Sequence, residues 1–144
     1  MSPLQTALGL GRDHGRQLQW LAESGFMALV LEQRERARRI FAGLQLLAPD
    51  EPVGWLGSAE LELAAGRLEA ARDEVDLALR KPHCELDKMI WAWRLCAHVC
   101  AALGDADRRI AAEDAVLRLQ PDGPVARAIV QERAGTRIDN GGGS

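Results

Sequence analysis

The chain has 144 residues, the size of one ordinary domain. Its 18 Lys and Arg against 21 Asp and Glu leave a net charge of -3, the wrong sign for a protein held to nucleic acid by its overall field. Ala and Leu supply 44 residues and Val, Ile and Thr only 14, which excludes a large sheet; at 47% hydrophobic the chain is rich enough to bury a helical core.

Residues 1–16 carry no clear pattern. They show neither a basic region nor a long apolar stretch, so no signal peptide is expected. No apolar run approaches the ~20 residues that span a bilayer, so no membrane insertion is expected and the cytoplasm is the expected location. From Gln17 onward the apolar spacing predicts helices in pairs. The first pair runs from Gln17 to Leu31 and from Arg34 to Leu47, and the second from Pro52 to Ala65 and from Leu68 to Arg80. The third runs from Leu86 to Leu103 and from Ala106 to Leu119. A seventh helix, Val125 to Ala134, precedes Gly135 and is expected to cap the open end. Asp50, Asp105 and Asp122 are candidate N-caps, and Gly66 and Gly104 suit left-handed turns within their pairs. Residues 17–135 thus form the expected folded domain. Residues 136–144 form a tail, in which Asn140-Gly141-Gly142-Gly143-Ser144 reads as a flexible linker.

The pairs repeat. A shift of 34 residues carries Leu21 onto Trp55, Ala37 onto Ala71 and Phe41 onto Val75, and a third copy starts at Trp93, 38 residues after the second. In the middle unit Trp55, Ala59, Gly66, Leu68, Ala71, Val75, Ala78 and Leu79 alternate large and small residues, so that paired helices approach closely. These positions resemble the tetratricopeptide repeat. The resemblance covers Gln17 to Pro121 and implies an all-α fold, an α-solenoid of three helical hairpins plus the C-terminal capping helix. The sequence departs from the pattern at Glu32, where the turn glycine belongs, and at Arg109 and Glu113, which replace a small and a large apolar residue. Four apart on one helix, Arg109 and Glu113 can pair; both are expected to face solvent, the alternative being that a partner protein completes this edge. The stretch from Ser24 to Asp50 and the following Gly54 to Val75 also resemble the first repeats of small chaperones of bacterial type III secretion. That similarity implies a protein that sequesters an export substrate or apparatus subunit.

In such folds the first helix of each pair lines the ligand groove. The register then assigns Gln19, Ala22, Phe26, Leu29 and Val30 to that surface in the first unit. Val53, Leu56, Glu60 and Leu63 follow in the second, and Trp91, Arg94, His98 and Ala101 in the third. The surface is mostly apolar, which suits an amphipathic helix or extended segment of another protein. A general scaffold joining folded proteins, or a homodimer, are the alternatives. Trp20, Trp55 and Trp93 are expected to be structural.

No chemistry of catalysis is legible. Gly9-Leu10-Gly11 follows no strand and is no dinucleotide fingerprint. Cys96, His98 and Cys100 point to different sides of one helix, so no metal site is expected, and no cofactor or catalytic residue is assigned. Cys84, Cys96 and Cys100 match no disulfide framework, and Cys96 with Cys100 reads as a buried reduced pair. The run from Arg34 to Arg39, broken by Glu35, suits a solvated face. An enzyme is not expected.

Overall fold

The computed structural model describes residues 11–82 and 85–141, with side chains over residues 15–82 and 85–136. Its chain divides into two compact units, Met1–Cys84 and Glu85–Ser144. All regular structure among the described residues is helical, as the composition requires, and within each unit neighbouring helices pack in sequence order. The fold class is the all-α arrangement of helical hairpins implied by the repeat. No described helix is long and apolar enough to cross a membrane. Cys84 lies outside the described residues.

The first unit holds α1 (Gly11–Val30), α2 (Arg34–Leu47), α3 (Val53–Ala64) and α4 (Leu68–Leu79). Phe41 of α2 is its centre. The ring is fully buried with Ala28, Ala37, Leu44 and Leu61, and Leu18, Leu21, Phe26 and Ile40 brace it from the periphery. Gly25 and Gly57 let α1 and α3 press directly on that ring, because a Cβ at Gly25 would stand 2.7 Å from it and one at Gly57 closer still. Gln45 ties α2 to α3 by donating to the Gly54 carbonyl (3.2 Å) and the Ser58 hydroxyl (2.9 Å).

The turns within the hairpins share one construction. Gly66 and Gly104 take positive φ (77° and 78°), and the next amide bonds back five residues, Arg67 to the Glu62 carbonyl and Asp105 to the Cys100 carbonyl. Glu32 does the same work in the first turn at φ 59°, with the Gln33 amide on the Ala28 carbonyl at 2.8 Å. A left-handed conformation costs a residue with a Cβ roughly 1–2 kcal/mol, part of which glycine returns through its freer unfolded chain. Glu32→Gly is therefore expected to stabilise the first unit by about 0.5–1 kcal/mol, read as a higher urea midpoint.

The second unit holds α5 (Leu86–Leu103), α6 (Ala106–Leu119) and α7 (Pro124–Gly141). Ile90, Val116, Ala126 and Ile129 form its apolar cluster, with Trp93, Leu117 and Val125 against it. The helix α7 thus covers apolar residues of α5 and α6, as a terminal helix must. Cys96 and Cys100 are buried and reduced, their sulfurs 4.0 Å apart.

Several local expectations need correction. The first helix begins six residues early, at Gly11, and α7 runs through Gly135 to Gly141. One interior glycine costs a helix only about 1 kcal/mol, and here the Thr136 hydroxyl binds the Glu132 carbonyl (2.9 Å) across it. Asp105 caps α6 by accepting from the Arg108 amide. Asp50 does not cap: α3 starts after Pro52 without a side-chain cap, and Asp122 stands one residue too early for α7.

Candidate protein-interaction site

In the first unit the assigned groove residues separate by burial. Leu56 is fully buried and belongs to the core, which corrects its assignment to the surface: its side of α3 is the side turned inward. Ala22, Phe26 and Leu29 are half-buried against the Phe41 cluster, with the Phe26 ring centroid 4.9 Å from that of Phe41. Val53, Glu60 and Leu63 are also half-buried. Val30 stands open at 77% exposure. Gln19 is exposed and donates to Glu23 at 3.2 Å. Since α1 and α3 touch, their half-buried residues share one locality.

The second unit treats its assigned residues differently. Trp91 is half-buried, and His98 and Ala101 are exposed. Arg94 is engaged by carboxylates: it meets Glu132 of α7 at 2.7 Å and approaches Glu113 of α6 at 4.0 Å. Glu113 is buried rather than solvated, and its partner is not Arg109. Arg133 of α7 bonds Glu113 at 3.3 Å and Asp114 at 3.0 Å, while Arg109 is exposed. Burial disfavours the charged Arg133 guanidinium, but its hydrogen bonds to Asp114 and Glu113 outweigh that and raise its pKa. The unusual residue of the third repeat therefore fastens α7, at a position where the repeat pattern wants an apolar side chain.

The tryptophans also divide. Trp55 is half-buried under the Lys81 ammonium, 4.4 Å from its ring centroid, and its indole N–H is buried without a partner. Trp93 packs on the second unit's cluster. Trp20, expected to be structural, is 65% exposed. With Met27 and, just past the end of α1, Leu31 it forms an apolar stripe that the repeat register did not single out. The signal was present as the spacing 20, 24, 27, 31, which puts four residues on one helical face.

Near α4 the charge balance is uneven. One carboxylate oxygen of Glu74 is buried without a partner, and burial, with Glu62 and Asp73 nearby, raises its pKa above the ordinary 4.5. Glu62 moves the other way, because Arg67 hydrogen-bonds it. Folded Glu74 holds its proton more tightly than the unfolded chain does, so its contribution to stability falls as pH rises from 4.5 through the raised value. Glu62 contributes stability above 4.5 that is lost as pH falls. Glu74→Gln is expected to raise the melting temperature at pH 7, with the gain vanishing near pH 4. A gain equal at both pH values would contradict the assignment.

Among the described residues no group of three or more His, Cys, Asp and Glu is placed to hold a metal ion. The run from Arg34 to Arg39 lies on the surface apart from buried Ala37, with Arg38 and Glu35 3.7 Å apart.

No model of a known protein family matches the chain. Crooked neck-like protein 1 of Mus musculus and that of Rattus norvegicus are each 30% identical to it over 69 residues, 46% of this chain. The chain spans 10% of the length of these curated relatives. In structure it is similar to a chain of a T3SS complex from Aeromonas hydrophila, with a TM-score of 0.67 and 21% identity. That match covers 96% of this chain and 91% of the other. Paired helices, positive-φ turns at the repeat spacing and this match together make the fold one of tetratricopeptide type.

Proposed function

We propose that the chain is a protein-binding chaperone of type III secretion, which holds an apolar segment of an export substrate or apparatus subunit until that partner is handed on. The observation that carries this reading is the similarity in fold, over nearly the whole of both chains, to a component of a T3SS complex. Val30, Leu29, Val53 and Leu63 offer apolar area on α1 and α3 for such a segment. Burial of each large side chain contributes roughly 1.5–3 kcal/mol before ordering costs. The work is burial without catalysis: the bound state keeps the guest's apolar face from self-association by mass action. The partner is a protein, the chain works in the cytoplasm, and neither cofactor nor nucleic acid takes part.

The test is co-expression with small export subunits that are insoluble alone. A soluble complex is expected. Val30→Glu and Leu63→Glu should each reduce recovery of the guest at least tenfold, with the helical circular dichroism of the chain retained. If no such subunit becomes soluble, or if both variants carry it as well as the parent does, the reading fails.

A further inference from the structure

We infer that the outer face of the first hairpin, formed by α1 and α2, is a second docking surface, which takes an amphipathic helix of a partner protein with carboxylates beside its apolar stripe. Trp20, Met27 and Leu31 stand 65%, 59% and 58% exposed. Trp20 lies about 140° around α1 from Gly25, the residue that presses on Phe41, so the stripe faces away from the core of the unit. Leu29 of the groove proposed above lies about 180° around α1 from Trp20, whereas Val30 lies about 80° from it and marks the edge where the two surfaces adjoin; this inference rests on Trp20, Met27, Leu31, Arg36 and Arg39 and not on that reading.

Repeat logic gives the face its meaning. Each hairpin buries one side on its neighbour, and a side left in water is ordinarily polar in a soluble repeat protein. Here the outer side of the first hairpin is apolar. Between α1 and α2 it is indented by two shallow recesses of about 280 and 440 Å³, both bordered by Trp20, Ser24 and Arg36. A face of this kind accepts one more helix.

The charge on its border selects which helix. Among the described residues, Arg36 bonds the Gln33 side chain, at 3.5 Å, and Arg39 the Glu35 carbonyl, at 3.4 Å. Neither has a carboxylate partner among the described residues. Arg38, by contrast, pairs with Glu35. Glu23, on the same border, accepts from Gln19. The two uncompensated guanidinium groups call for Asp or Glu on the incoming helix. A second copy of this chain would bring one Glu23 against two such arginines and leave positive charge in excess, which makes an acidic partner helix the better complement.

Two synthetic peptides test this on the full chain by calorimetric titration at low and at physiological salt. Both are helix-forming with the same Leu stripe; one carries Glu beside the stripe and the other Lys. The Glu peptide is expected to bind at least tenfold tighter than the Lys peptide, more so at low salt. Met27→Glu should weaken it at least tenfold with the melting temperature unchanged, since Met27 is exposed. The double variant Arg36→Glu, Arg39→Glu should reverse the preference. Equal binding of the two peptides, or binding indifferent to Met27→Glu, overturns the inference. So does a dimer by light scattering that Met27→Glu dissolves, which assigns the face to a second copy. Binding that appears only after residues 2–10 are removed assigns it to the chain's own N-terminus.

Discussion

Phe41→Ala is expected to cost the first unit about 4 kcal/mol, enough to unfold much of it at ambient temperature. The ring is fully buried and contacts three elements at once: Gly25 and Phe26 on α1, its own helix, and Gly57 on α3. Removing it leaves a cavity that the glycines cannot fill, and close packing permits little collapse. The converse change makes the same point. Gly57→Ala places a methyl group inside the van der Waals radius of the ring, so the ring or α3 must shift, at about 1–3 kcal/mol. Urea unfolding of both variants, followed by circular dichroism, measures these losses. A Phe41→Ala midpoint close to that of the parent would mean that the two hairpins are not joined through this ring.

Glu113→Ala is the second large effect, about 2 kcal/mol in the second unit. Breaking a buried ion pair leaves the remaining charges uncompensated, which costs about 3–5 kcal/mol when both partners are dry. Arg133 is partly exposed, so water recovers some of that. Asp114 still accepts from Arg133, and Glu132 still holds Arg94. The expected signature is local. Amides around Glu132 and Arg133 exchange faster with deuterium, whereas those of α1 to α4 do not change. Glu113→Gln keeps a carbonyl oxygen for Arg133 and should lose less than half as much. Arg109→Ala is the control, expected within 0.5 kcal/mol of the parent because the side chain is exposed.

These two sites mark where sequence reasoning reaches and where it stops. The bounds of α2, α5 and α6 follow from the sequence without error, because Gly104 and the prolines just past the helix ends, Pro49 after Leu47 and Pro121 after Leu119, punctuate the chain by backbone chemistry that needs no tertiary knowledge. The turn geometry at Gly66 and Gly104 was equally legible, whereas the left-handed turn at Glu32 was not, because the sequence there only departs from the repeat pattern. The burial of Glu113 was not legible. Its partner Arg133 lies 20 residues away, beyond any helical spacing rule, whereas Arg109 at four residues was the obvious and wrong candidate. The inward turn of Leu56 and the outward turn of Trp20 were hidden for another reason. Both helices carry apolar residues on more than one side, and a repeat register gives the spacing of a stripe without saying which stripe is buried. The continuation of α7 past Gly135 was hidden because one interior glycine costs a helix only about 1 kcal/mol, and the Thr136 hydroxyl bonds back to the Glu132 carbonyl across it.

The most direct measurement is photo-crosslinking from single positions of the chain while it holds a small export subunit. A photoreactive residue replacing Val30 or Leu63 is predicted to label that guest, and one replacing Arg109 is predicted to leave it unlabelled. Labelling from position 109 with none from 30 or 63 would contradict the account, because the guest would then be carried on a surface other than the α1 and α3 side of the first unit.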